Sequence, residues 1–187
     1  RHWGGLAAIL SNFSGSTVLF PASAKFPVEL DSLRRSPYFR RPEWMALLQG
    51  DSIPLEGNAG FRILEEEGQI FLFIYSGNHN VLFLPTWKPP VLARALSRLK
   101  GLSSVDLLIA PASGGPPSRE GEALLSLLLP GEVVFTKPNP DMGPFLGSLE
   151  KEEIPYFFLE ELGALRFELK EGRLEGPLID SRPRAVL

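Results

Sequence analysis

Two short apolar runs, each stopped by proline, constrain this chain more than any other feature. The first is Val81-Leu82-Phe83-Leu84 before Pro85, and the second is Val105-Asp106-Leu107-Leu108-Ile109-Ala110 before Pro111. Runs of this length, rich in Val, Ile, Leu and Phe, are the pattern of strands buried in a covered sheet. Between them, Pro89 to Leu99 places Leu92, Ala95, Leu96 and Leu99 on one helical face and Arg94 and Arg98 on the other. Pro89 and Pro90 fit a first helical turn, and Gly101 after Lys100 is a stop signal. The segment therefore predicts a β-α-β unit. Its two loops, Pro85-Thr86-Trp87 and Pro111 to Pro117, follow the carboxyl ends of their strands, where α/β sheets usually place their chemistry.

The rest of the chain extends this unit on both sides. Gly4–Phe13 reads as a short helix and Ser16–Phe20 as a strand. Pro27, Pro37 and Pro42 then break the pattern, leaving one or two helical turns at Glu29–Arg35 and at Glu43–Leu48. Asp51–Leu55 predicts a short strand. Phe61–Glu65 and Gln69–Tyr75 pair across Glu66-Glu67-Gly68, and Ser76–Asn80 turns into the first apolar run. Beyond the Gly/Pro-rich loop come a helix at Ser118–Leu129, a strand at Glu132–Thr136, a helix at Pro144–Glu152 and a strand at Tyr156–Leu159. A hairpin follows over Ala164–Glu175, with its turn at Lys170-Glu171-Gly172. An antiparallel meander running into alternating helices and strands predicts a layered α/β sandwich. One domain is expected over residues 1–178, with a loose basic tail over 179–187.

Composition excludes several classes. With 187 residues and 22% charged residues the chain is ordinary for a globular protein, and its net charge of −3 argues against coating nucleic acid with the whole surface. There is no Cys, hence no disulfide and no thiolate metal site, and no run reaches the ~18 apolar residues of a membrane span. The sequence shows no initiator Met and no signal peptide, so Arg1 reads as a cut. Eighteen Pro with few Asn and Gln fit a thermophile, although a Leu- and Pro-rich coding bias gives the same inventory.

Several segments, taken in order, resemble the metallo-β-lactamase-fold domain at the end of ComEC-type DNA-uptake (competence) proteins. Arg1-His2-Trp3-Gly4-Gly5-Leu6 is similar to the end of that family's His-x-His-x-Asp-His metal motif and the Ile-Gly-Gly-Leu after it. Gly50-Asp51-Ser52-Ile53-Pro54-Leu55 is similar to its Gly-Asp and short strand. Leu82-Phe83-Leu84-Pro85-Thr86 stands where the family has Leu-Leu-Thr-Gly-Asp, and Pro111-Ala112-Ser113-Gly114-Gly115 where it has Pro-His-His-Gly-Ser. The resemblance covers almost the whole chain and implies a metallo-β-lactamase-like αββα sandwich lacking its first strands. It also implies a soluble domain attached to a membrane-embedded uptake channel, near incoming DNA.

The departures shape the functional expectation. Under the resemblance, Arg1 replaces the motif Asp, Thr86 the metal-bridging Asp, and Ala112-Ser113 the late His-His pair. The vestigial site positions are therefore His2, Thr86, Ala112 and Ser113. A two-metal hydrolase without thiolates needs several imidazoles and bridging carboxylates, and this chain has two His in all. His79, between Asn78 and Asn80, reads as a solvated turn residue. Ser113 has no Gly-x-Ser-x-Gly elbow and no His placed as its base, and Gly114-Gly115 lack the Gly-Lys-[Ser/Thr] of a P-loop. The expectation is thus a degenerate domain that is not an enzyme and that, by the resemblance, has a structural or DNA-guiding role in DNA uptake, with no catalytic residue, no metal, no cofactor and no small-molecule substrate.

DNA is the one partner the residues themselves suggest. Arg34, Arg35, Arg40 and Arg41 interleave with Tyr38, Phe39 and Trp44. Such a segment could grip a phosphate backbone and stack bases, or it could be a solvated loop whose aromatics tuck into the core. Glu65-Glu66-Glu67 reads as a solvated acidic turn. Two alternatives stay open: a metal-dependent nuclease or hydrolase completed by residues upstream of Arg1 or by a partner, and a plain protein-interaction module.

Overall fold

The computed structural model describes residues 17–23, 28–35, 43–55, 57–101, 104–111, 119–163, 165–170 and 173–179. They fall into two compact units divided between Asp51 and Ser52.

The first unit holds strand β1 (Thr17–Pro21), helix α1 (Val28–Arg35) and strand β2 (Glu43–Leu47). The strands run parallel, with Thr17 opposite Glu43 and Pro21 opposite Leu47. The helical turn expected at Glu43–Leu48 is instead this second strand. Five residues are too few to nucleate an isolated helix, while β1 offers a row of unpaired backbone groups and a pleat that suits Trp44 and Leu47. The strand ends in a tight turn, where Leu48 N donates to Asp51 Oδ2 at 2.7 Å and Asp51 N returns to Leu48 O at 3.1 Å.

The second unit is built on a seven-stranded sheet. In spatial order its strands are β3 (Ser52–Pro54), β4 (Ala59–Glu66), β5 (Gln69–Ser76), β6 (His79–Phe83), β7 (Leu107–Ala110), β8 (Glu132–Phe135) and β9 (Tyr156–Phe158). Pairing is antiparallel from β3 to β6 and parallel from β6 to β9. Each parallel step is a crossover through a helix: α2 (Pro89–Leu99), α3 (Arg119–Leu128) and α4 (Gly143–Lys151). A short helix α5 (Leu159–Leu162) leads to a separate hairpin of β10 (Leu165–Lys170) and β11 (Arg173–Ile179). The first helix, the tail beyond Ile179 and the hairpin turn at 171–172 lie outside the described residues.

The meander, the β-α-β unit and the later alternation stand as the sequence implies. The expected turn at Ser76–Asn80 is narrower, however. Gly77 and Asn78 form it, and His79 and Asn80 already pair with Ser76 and Tyr75. At the β4–β5 turn, Glu67 and Gly68 take φ of 52° and 72°, the left-handed pair that a two-residue hairpin of this twist requires.

Burial explains the sheet's composition. On one face Phe71, Phe73, Leu82, Leu108, Val133 and Phe135 interleave with Leu92 and Leu99 of α2, Leu124 and Leu128 of α3, and Phe145 and Leu149 of α4. Each such side chain contributes about 1.5–3 kcal/mol on leaving water. The other face carries Ile63, Leu72, Phe83, Ile109, Val134 and Phe157 in register, so the strands read as continuous apolar runs and not as alternating ones. A sheet apolar on both faces with helices over one of them is the expected layered α/β architecture.

Candidate carboxyl-edge site

The parallel strands β6, β7 and β8 end side by side, and the loops leaving them form the candidate site. Leu84 N donates to Ile109 O at 2.8 Å, and Thr136 N to Ala110 O at 3.1 Å, so the ladder carries past the strand ends. The loop after β6 then turns inward. Trp87 is fully buried, and its Nε1 donates to Pro111 O at 2.7 Å, joining this loop to the first residue after β7. Its ring meets Phe145 edge-on at 5.3 Å and lies 6.5 Å from Phe135. One indole thus ties two loops, the end of β8 and helix α4 together. Thr86 is only 6% exposed, and its Oγ1 accepts the Lys88 backbone N–H at 3.2 Å. That hydroxyl is already engaged in holding the turn into α2, where Lys88 O receives Val91 N and Leu92 N.

The described part of this edge offers few donor atoms for a metal. A neutral, buried hydroxyl stands where a bridging carboxylate would be needed, and among the described residues no group of three or more His, Asp or Glu is placed to hold an ion. His2, Ala112 and Ser113 lie outside the described residues, as do Tyr38, Arg40 and Arg41. Of the basic-aromatic segment, Arg34 and Arg35 occupy the last turn of α1. Trp44 is half-buried on β2 with its ring 6.5 Å from that of Phe20.

At the opposite, amino ends of the strands the structure corrects the sequence reading of His79. It is a strand residue, largely buried, with Nδ1 3.1 Å from Asp106 Oδ1, while Asp106 Oδ2 accepts Asn80 N–H at 2.7 Å. The carboxylate ties the starts of β6 and β7 together. Glu66 is likewise no solvated turn residue. It is 7% exposed, with Arg98 Nε 2.8 Å from its Oε1 in an ion pair, and Glu67 pairs with Arg94 at 2.9 Å. These pairs pin the β4–β5 turn to the outer face of α2. Burial raises the Glu132 carboxyl above the usual range, and its Oε2 has no hydrogen-bond partner among the described residues. The Tyr156 phenol is also raised, first by its 3.0 Å hydrogen bond to Glu150 and then by burial.

No protein-family model matches the sequence, and no curated protein matches it closely. Solved structures do share the fold. The metallo-β-lactamase fold protein YhfI from Bacillus subtilis aligns at a TM-score of 0.54 with 10% identity, over 83% of this chain and 68% of that one. The E377D mutant of CmlA β-hydroxylase aligns at 0.54 with 15% identity, over 76% of this chain and 38% of that one. The fold is therefore the metallo-β-lactamase fold. The expectation that this chain is not an enzyme is overturned: a structure sharing the fold is a β-hydroxylase, and no described residue shows this chain to be inactive. Among the described residues, no helix is long and apolar enough to cross a membrane.

Proposed function

We propose that this chain is the hydrolase-like, metallo-β-lactamase-fold domain of a ComEC-type DNA-uptake protein, attached to a membrane-embedded channel and acting on incoming DNA. Metal chemistry on this reading would need ligands beyond the described residues, since Thr86 offers only a hydroxyl that already accepts the Lys88 N–H. The observation that supports this best is the shared edge of β6 and β7. There Thr86 and Pro111, which stand where the resemblance puts the family's two later metal motifs, belong to neighbouring loops joined by the Trp87–Pro111 hydrogen bond. Two motif positions 25 residues apart in the chain thereby lie at one edge of one sheet, as a shared site requires. In the second unit Trp87 fixes the edge loops, and in the first unit, taken by itself, the last turn of α1 carries Arg34 and Arg35.

The test uses a longer chain carrying residues upstream of Arg1. Metal content after equilibration with Zn²⁺ or Mn²⁺ and cleavage of single- and double-stranded DNA are measured together. Near-stoichiometric metal and metal-dependent cleavage are expected. A longer chain that takes up neither metal and leaves DNA intact would refute the proposal.

A further inference from the structure

Two of the four arginines in the basic segment carry a feature that the sequence pattern hides. Arg34 and Arg35 occupy the last turn of α1, and both reach back to one carboxylate. Arg35 Nη2 lies 2.7 Å from Asp31 Oδ2, and Arg34 Nη2 lies 3.6 Å from Asp31 Oδ1. The side chains of Arg34 and Arg35 are 39% and 74% exposed, and that of Asp31 is 31% exposed, so all three face water and any ligand that arrives from it. The spacings of three and four residues are those at which helical side chains meet, so this carboxylate is held beside both guanidinium groups by the helix itself.

We infer that Asp31 is a built-in competitor for phosphate, one that sets how tightly the α1 arginines hold a nucleic-acid backbone. The inference rests on the DNA reading above. A carboxylate and a phosphate oxygen offer an arginine the same charge-assisted hydrogen bonds. A phosphate approaching Arg35 must displace the Asp31 oxygen or share the guanidinium with it, and in either case it meets a fixed negative charge. The pair is solvent-exposed, where such contacts are worth about 0.2–1 kcal/mol, so its removal tightens binding by roughly 1.4- to 5-fold. The same exposure means that salt screens the effect. A purely structural pair, serving only to complement the helix dipole and its own turn, would leave affinity unchanged.

The experiment compares four proteins by fluorescence anisotropy with a labelled single-stranded oligonucleotide, at about 50 and 300 mM salt. They are the wild type, Asp31→Asn, Asp31→Glu, and a variant with Arg34, Arg35, Arg40 and Arg41 all changed to Ala. Asp31→Asn should bind about 1.4- to 5-fold tighter at low salt and lose that advantage at high salt. Asp31→Glu, which keeps the charge, should match the wild type, and the quadruple variant should bind more weakly with a shallower salt slope. If the quadruple variant weakens but Asp31→Asn binds no tighter, the inference about Asp31 fails alone. If none of the four binds, or the quadruple variant binds as the wild type does, the DNA reading fails and the inference with it.

Discussion

Replacing Trp87 by Phe separates the two things that residue does. The phenyl ring keeps most of the packing against Phe145 and Phe135, but the N–H that reaches Pro111 O at 2.7 Å is gone. An acceptor left unmatched in a site where the donor was fully buried costs about 1–3 kcal/mol. The smaller ring leaves up to ~40 Å³ unfilled, adding about 1 kcal/mol at ~24 cal/mol per Å³. The expected loss is therefore about 2–4 kcal/mol, short of a Trp87→Ala variant that forfeits the ring as well, at about 3–5 kcal/mol or more. At about 2–4 °C per kcal/mol for a chain of this size, Trp87→Phe lowers Tm by roughly 5–15 °C. The assay is equilibrium urea unfolding followed by far-UV circular dichroism, since fluorescence changes with the loss of the indole itself. An unchanged m-value confirms that the same surface unfolds. A Trp87→Phe variant within about 0.5 kcal/mol of wild type would refute the reasoning, because surface-like substitutions fall in that range.

Two further outcomes follow from close contacts and burial. A methyl group at Gly60 would run into the Tyr75 hydroxyl and sit 2.7 Å from Ile53 O, so Gly60→Ala should destabilise by about 1–3 kcal/mol in urea unfolding. Adding Tyr75→Ala should relieve only part of this, since the Ile53 carbonyl is backbone; full recovery would show that the side chain alone is the obstacle. Glu132 is a carboxyl whose folded-state pKa is raised by burial, so the folded chain binds its proton more readily than the unfolded chain. Its contribution is most favourable below the ordinary glutamate pKa and is lost as pH rises through the raised value. Glu132→Gln should therefore raise Tm at pH 7 with the gain shrinking towards pH 4, and a gain of constant size across that range would contradict the desolvation account.

The sequence was most legible where structure is local. Helix α2 runs from Pro89 to Leu99 because the two prolines fix its start, and the spacing of Leu92, Ala95 and Leu99 gives it a face to bury. The strands beside it were legible because burial on both faces leaves an unbroken apolar run. Glu43–Leu47 misled for the opposite reason. Its conformation is set by β1, which lies 26 residues earlier in register, and no local periodicity records a partner at that distance. His79 and Glu66 misled in the same way. A histidine between two asparagines and a run of three glutamates look solvated until Asp106, 27 residues on, and Arg98 on α2 are brought to them.

The candidate site shows why fold and chemistry were legible to different degrees. The fold is carried by many interchangeable apolar side chains, so Leu82, Leu108, Val133 and Phe135 announce the sheet whatever stands at its edge. Chemistry at a carboxyl edge depends on a few side chains, each supplied by a different loop and each far from the next in sequence. Counting ligands in this chain pointed away from an enzyme, but such a count samples only the loops the chain itself contributes and treats every departure as a loss. Thr86 shows how little a departure at one position says about the rest. Its hydroxyl is buried and bonded to Lys88 N–H, a role that stabilises the turn into α2 whether or not a metal lies nearby. Trp87, the residue that binds two edge loops into one unit, matched no catalytic pattern at all, because its function is a hydrogen bond to a backbone carbonyl 24 residues away. The edge is thus organised by residues that hold loops in place, and loops held in place are what a site drawing its ligands from several segments needs.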